Sequence, residues 1–257
     1  MLLYRLGPEG FYAVRTDEGE VRILFSDPYE TAPAEWELGR KLEVEPRGIL
    51  APVEPSKILG IGRNYVQHAK ELGNPVPDEP VLFLKAPSSL IGPGAAVVLP
   101  PESERVEFEG EIAVVLRRRL CRSSADEARE AVLGVTCACD VTARDLQRRD
   151  ATFARGKSFD TFCPIGPALL VEPDLELLTV QTRLNGVVEQ EGSVSEMIWN
   201  ISELLVYASQ MMTLEAGDVI LTGTPEGVGP LGPGDRLEVE VSGVGSLENP
   251  VEAMRQP

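Results

Sequence analysis

The chain has 257 residues, 43% of them hydrophobic and 25% charged, which suits a globular protein with a sizeable core and excludes a disordered one. Asp and Glu number 41 against 24 Lys and Arg, a formal net charge of −17 that argues against nucleic acid and anionic membrane surfaces as partners. A small anionic substrate stays open, because charges beyond about 8–10 Å are screened at cellular salt.

The start, MLLYRLGPEGFYAV, lacks a basic region and a long apolar stretch. No apolar run approaches about 18 residues, so no membrane span is expected and the cytoplasm is the expected location. The four cysteines, Cys121, Cys137, Cys139 and Cys163, include no C-x-x-C pair. They read as free thiols rather than zinc ligands.

Residues 1–52 read as a small separate unit. FYAVRTDEGEVRILF predicts a hairpin, and the Pro- and acid-rich stretch from Pro28 to Pro55 predicts a loop-rich connector. Lys57–Gly62 predicts a strand entering a glycine turn; the third glycine of a dinucleotide fingerprint is missing, so that reading is rejected. Asn64 to Gly73 predicts a short helix with an Asn cap and a Gly terminator. His68, the only histidine, shares a face of that helix with Glu71 three residues on. A carboxylate beside an imidazole fixes its tautomer and raises its basicity, although a lone histidine is more often a satisfied surface or core residue. Val81–Lys85 predicts an apolar strand ending in a lysine that either snorkels or meets an anion.

From Val106 to Leu116 alternation predicts a strand with Glu107, Glu109 and Glu111 on one face and Val106, Phe108 and Ile112 on the other. Glu109 and Glu111 would stand with Cα atoms roughly 6.5 Å apart. Carboxylates so close, entering a buried strand, call for positive charge, and a hard divalent cation is a natural partner; a solvated strand edge is the plain alternative. Ser124 to Glu127 reads as a capping box opening an amphipathic helix. Val135–Val141 predicts a strand that delivers a third carboxylate, Asp140, at its end. Thr142–Gln147 reads as a turn or short helix. Lys157 sits beside a glycine and among phenylalanines, as a cation–π partner or a desolvated chemical lysine. Asn185-Gly186 predicts a type I′ hairpin. Ile201–Met212 predicts a helix capped by Ser202, with Met211 and Met212 in the core. Asp218–Thr222 predicts a strand entering a Gly/Pro loop at 223–230 that lacks the G-K-[ST] of a nucleotide loop but can present amides to a carboxylate.

GRNYVQHAKE, EPVLFLK, EFEGEIAVVL, CDVTARDLQ, RGKSFDTFCPIGP and GDVILTGTPEGVGPL, in this order from about residue 57 to 235, resemble the successive signatures of the fumarylacetoacetate hydrolase family. Within it the chain is most similar to 2-hydroxyhepta-2,4-diene-1,7-dioate isomerases and related decarboxylases of aromatic-acid breakdown. The resemblance implies a β-rich α+β fold, a mixed β-sheet roll, with a small N-terminal domain (1–52) before a catalytic domain (53–257), usually as a homodimer. It implies Mg²⁺ (or Mn²⁺) held by Glu109, Glu111 and Asp140, a His68–Glu71 acid/base dyad and an active-site Lys157. Arg63, Tyr65, Lys85, Arg144, Gln147 and Thr224 fall at positions that line the substrate pocket in such enzymes.

A 2-oxo acid or its enol can chelate such a cation, which then stabilises negative charge on the enolate oxygen. Moving a proton between carbons gives isomerisation, loss of CO₂ gives decarboxylation, and attack of a His68-activated water gives C–C hydrolysis. The expected function is therefore isomerase or decarboxylase action on a 2-oxo or 2-hydroxydienoic dicarboxylate. Acylpyruvate hydrolysis or oxaloacetate decarboxylation is the alternative. A non-catalytic acidic binding module would have no use for the His68–Glu71 pair.

Overall fold

The computed structural model describes residues 1–43 and 48–254, so positions 44–47 of the expected connector lie outside the described residues. In chain order its strands are β1 Leu2–Leu6, β2 Phe11–Arg15, β3 Val21–Leu24, β4 Leu38–Leu42, β5 Ile58–Gly62, β6 Val81–Lys85, β7 Leu90–Ile91, β8 Val97–Leu99, β9 Val106–Phe108 and β10 Gly110–Leu116. There follow β11 Val132–Cys139, β12 Thr142–Ala143, β13 Cys163–Val171, β14 Thr179–Leu184, β15 Val187–Ser193, β16 Val219–Leu221, β17 Gly229–Pro230, β18 Arg236–Val241 and β19 Gly245–Ala253. The α-helices are few: α1 Val66–Glu71, α2 Ala125–Glu130, α3 Arg144–Arg149, α4 Ala154–Lys157 and α5 Ile201–Met211. This is the expected β-rich architecture.

The main sheet runs β4-β3-β2-β1-β13-β11-β10-β16-β5-β6, with β7 beside β13. It is mixed: β16 lies parallel to β5, while β10, β11 and β13 pair antiparallel. The N-terminal strands join this sheet through β1, where Leu2 and Leu3 stand opposite Leu170 and Leu169. The expected hairpin is there as β2 and β3, but the connector is less loop-like than expected, since Leu38–Leu42 pairs with β3. A second sheet, β15-β14-β18-β19-β8, covers one face of the first, and a small sheet, β12-β9-β17, closes one end.

Strand β10 explains the layering. It is buried along its whole length, so its sequence reads as a continuous apolar run. Ile112, Val114 and Leu116 enter a core shared with Val239 and Val241 of β18, Leu247 of β19 and Leu204, Leu205 and Ala208 of α5. Ala113 and Val115 enter a second core with Leu3, Val14, Ile58 and Leu169.

Three local expectations are corrected. The 106–116 run is two strands in two sheets, broken at Glu109, because β9 pairs with β12 and β17 while β10 pairs with β11 and β16. Asn64 does not cap α1: its amide donates to the carbonyls of Trp199 (3.1 Å) and Thr222 (2.8 Å), and its oxygen accepts from the Trp199 N–H (3.0 Å). Helix α5 is capped by Asn200, whose side chain accepts from Glu203 N–H (3.0 Å) while Glu203 accepts from Asn200 N–H (2.8 Å); Ser202 is inside the helix and Met211 is exposed. The Ser124 capping box and the Asn185-Gly186 turn, with both φ positive, stand as expected. All four cysteines are free, Cys121 exposed and the others buried.

Candidate active site

Glu109 occupies the break between β9 and β10, Glu111 is the second residue of β10, and Asp140 follows β11 directly. Antiparallel pairing of Gly110 with Cys139 and Glu111 with Ala138 brings the strand ends together, and the Asp140 N–H donates to the Glu109 carbonyl at 2.8 Å. Each of the three carboxylates then offers an oxygen within 4.8 Å of the others, all buried. The sequence places Asp140 29 residues after Glu111; the sheet register makes the three one cluster.

Positive charge reaches the cluster unevenly. Lys157 Nζ donates to Glu109 Oε2 (2.6 Å) and to Asp140 Oδ2. Lys85 Nζ, fully buried, donates to Asp140 Oδ1 (2.6 Å). Arg144 bridges Glu107 Oε2 (2.6 Å) and Glu109 Oε1, and its third arm meets Gln147 Oε1 (2.6 Å). Among the described residues Glu111 receives only the Gly223 N–H, at 2.7 Å. Burial works to raise the pKa of Glu109, but Lys157 and Arg144 outweigh it and hold the carboxyl well below the usual range. For Glu111 burial, then Asp140 and Glu109, push the carboxyl well above it. A cluster of three buried oxygen donors, one of them short of positive charge, fits a hard divalent cation.

The cluster forms one wall of a cavity of about 300 Å³. His68, from α1, forms another and is 4% exposed. Its Nδ1 lies 3.5 Å from Glu71 Oε2 and has no hydrogen-bond partner within normal reach. The Glu71 carboxylate is itself anchored by the Gly227 N–H, at 3.1 and 3.2 Å. Burial lowers the His68 pKa, aided by Arg144 and Lys157 and opposed by Glu109 and Glu71, so the imidazole is neutral at pH 7 and open to a proton. The arrangement couples a proton acceptor, anionic oxygen donors and fixed cations in one cavity, the components of acid–base chemistry on an anionic substrate.

Of the residues expected at the site, His68, Glu109, Glu111, Asp140, Arg63, Arg144, Gln147, Lys157 and Thr224 all line this cavity. Three do not. Glu71 stands behind His68, and Lys85 lies beneath Asp140 and Lys157, whose carbonyl it also contacts. Tyr65 precedes α1 and is buried, its hydroxyl without a hydrogen-bond partner. Lys157 has its ammonium 4.9 Å from the Phe83 ring, not over the phenylalanines beside it in sequence.

Two contributors have only faint sequence signals. Arg148 lines the cavity one helical turn after Arg144, a spacing legible once α3 is assigned. Gln190, buried in β15, accepts from Gly110 N–H (2.9 Å) and donates to Thr224 Oγ1 (2.7 Å) and the Pro225 carbonyl (2.9 Å). It clamps the peptide between Glu109 and Glu111 to the Gly/Pro loop, and no local pattern marks it.

Comparison with known proteins bears on this geometry. The family model described as fumarylacetoacetate (FAA) hydrolase C-terminal matches residues 57–252, a span that contains every cavity residue named above. Mitochondrial oxaloacetate tautomerase of Homo sapiens is 43% identical over 230 residues, covering 83% of this chain and 73% of its own. Among solved structures, 5-carboxymethyl-2-hydroxymuconate delta-isomerase of Mycobacterium smegmatis aligns with a TM-score of 0.89 at 36% identity over 99% of this chain and 100% of its own. The 2-hydroxyhepta-2,4-diene-1,7-dioate isomerase of Mycobacterium marinum aligns with a TM-score of 0.87 at 34% identity over the whole of both chains. With the match spanning the sheet that carries the acidic cluster and the helix that carries its histidine, this chain belongs to the fumarylacetoacetate hydrolase family.

Proposed function

We propose that this protein is a divalent-metal-dependent isomerase that moves a proton along a 2-oxo or 2-hydroxydienoic dicarboxylate, in aromatic-acid breakdown. The observation that carries the reading is the placement of a neutral, carboxylate-backed His68 in the same cavity as the Glu109, Glu111 and Asp140 cluster. Glu109, Glu111 and Asp140 would hold Mg²⁺ or Mn²⁺. When bound, the cation supplies positive charge to the oxygens of a 2-oxo acid and lowers the cost of removing the neighbouring C–H proton.

The rest falls to the chain's own residues. His68 accepts the proton from the carbon next to the oxo group and returns it at the new position. Glu71 faces Nδ1 from 3.5 Å, leaving Nε2 to do the transfer. Lys157 and Arg144 keep Glu109 ionised, and Lys157 also orients Asp140. All cavity residues come from 61 onward, which supports a catalytic domain of 53–257, with 1–52 contributing strands to its sheet but no residue to the cavity. The working form is taken to be a cytoplasmic homodimer.

The test incubates purified protein with Mg²⁺, with and without EDTA, and follows oxaloacetate, 2-hydroxydienoic dicarboxylates and acylpyruvates by ultraviolet absorbance. The expected result is tautomerisation or isomerisation of a dicarboxylate that EDTA abolishes. Hydrolysis of acylpyruvates alone would assign the chain to C–C cleavage instead. Absence of turnover in all three classes, with Mg²⁺ bound, would refute the enzymatic reading.

A further inference from the structure

We infer that Arg148, with Arg63, forms a cationic rim subsite that grips the carboxylate of the substrate remote from its 2-oxo end. The inference rests on the dicarboxylate reading above and locates its second charge. Arg144 and Arg148 lie four residues apart on α3, so on one side of the helix and about 6 Å apart along it at a rise of 1.5 Å per residue. Arg144 is spent on Glu107, Glu109 and Gln147 at the deep end. Arg148, one turn outward, lines the same cavity and makes no ion pair or side-chain hydrogen bond among the described residues.

The acids that could neutralise Arg148 on its own helix are occupied. Both oxygens of Asp150 are taken by Arg155, at 2.7 and 2.5 Å. Asp145 accepts from Ser103 Oγ (2.6 Å) and the Glu104 N–H (3.3 Å). Arg63, across the cavity at the end of β5, is likewise unpaired among the described residues. Its φ of 60° lies in the left-handed region that favours glycine, so backbone conformation does not account for arginine there. In a chain of net charge −17, two unneutralised guanidiniums on one cavity that already binds charge at its other end select a ligand with a second anionic group. A guanidinium fork takes a carboxylate with two parallel hydrogen bonds.

Mg²⁺-loaded wild type, R148A, R148K and R149A are titrated calorimetrically with 2-oxoglutarate and with its 5-methyl ester, which keeps the 2-oxo acid and removes only the distal charge. Arg149 is exposed and outside the cavity, and serves as the control. Wild type and R149A should prefer the diacid over the ester by roughly 10- to 100-fold, the scale of one or two charge-assisted hydrogen bonds. R148A should lose most of that preference, and R148K should keep part of it, having the charge without the fork. No preference in wild type, or an unchanged preference in R148A, overturns the subsite. Either result is separate from the turnover assay, in which the isomerase reading stands or falls by itself.

Discussion

Of the three clustered carboxylates, Glu109 and Asp140 each accept from buried cationic side chains, whereas among the described residues Glu111 accepts only from a backbone N–H. A carboxyl whose folded pKa is raised stabilises the fold below its unfolded pKa, and that contribution is lost as pH rises. In EDTA the contribution of Glu111 should therefore be lost as pH rises above its unfolded pKa, and E111Q should remove that loss and melt above wild type at pH 7. The same variant should lose the rise in Tm that Mg²⁺ gives wild type. A lower Tm for E111Q in EDTA would show that Glu111 is not short of positive charge. His68 makes an opposite demand on pH. Burial depresses its pKa below the ordinary value of about 6.5, so kcat/KM should fall on an acidic limb lying below that pH. E71Q removes a charge that raises this pKa and should move the limb further down. H68A should cost roughly 10²- to 10⁴-fold in kcat with an unchanged melting profile; a kcat within threefold of wild type would exclude His68 as the proton acceptor.

Between elements, the cluster depends on how β10 is held. Gln190 satisfies Gly110, Thr224 and Pro225 at once, and Gly110 itself admits no larger residue, since a Cβ there would lie 1.8 Å from Thr182 Oγ1. Q190A leaves buried partners unsatisfied, at about 1–3 kcal/mol for each. It should lower Tm and weaken Mn²⁺ binding, read by the paramagnetic signal of the free ion; full Mn²⁺ affinity in a destabilised Q190A would separate the clamp from the metal centre. Local signals served well where the partners are local. Ser124 and Glu127 cap each other within four residues, and Asn185-Gly186 supplies the two positive φ angles of its turn. They failed where a distant group competes. Asn64 is an ordinary cap by composition, but Trp199 and Thr222 claim its amide. The run 106–116 reads as one strand, but its two halves have different neighbours.

At the scale of the whole molecule, β1 to β4 complete an edge of the main sheet that β13 would otherwise expose. Deleting residues 1–52 removes Leu3 and Val14 from the core they share with Ile165 and Leu169. The truncated chain should melt lower and aggregate through the bared strand; an unchanged Tm would mean that the N-terminal unit contributes no stability to the rest. Sedimentation should give twice the chain mass if the homodimer is the working form. The amino-acid sequence by itself determined the β-rich class, and it singled out Glu109, Glu111, Asp140 and His68, which the fold brings to one cavity, because alternation, capping and motif order are written in neighbouring residues. Only the tertiary structure decided that Lys85 lies under the cluster rather than in the cavity, that Gln190 clamps Gly110, and that Arg148 has no partner among the described residues. Those outcomes depend on which groups meet across distant strands, and the competition for hydrogen bonds and counter-charge there is settled by sheet register.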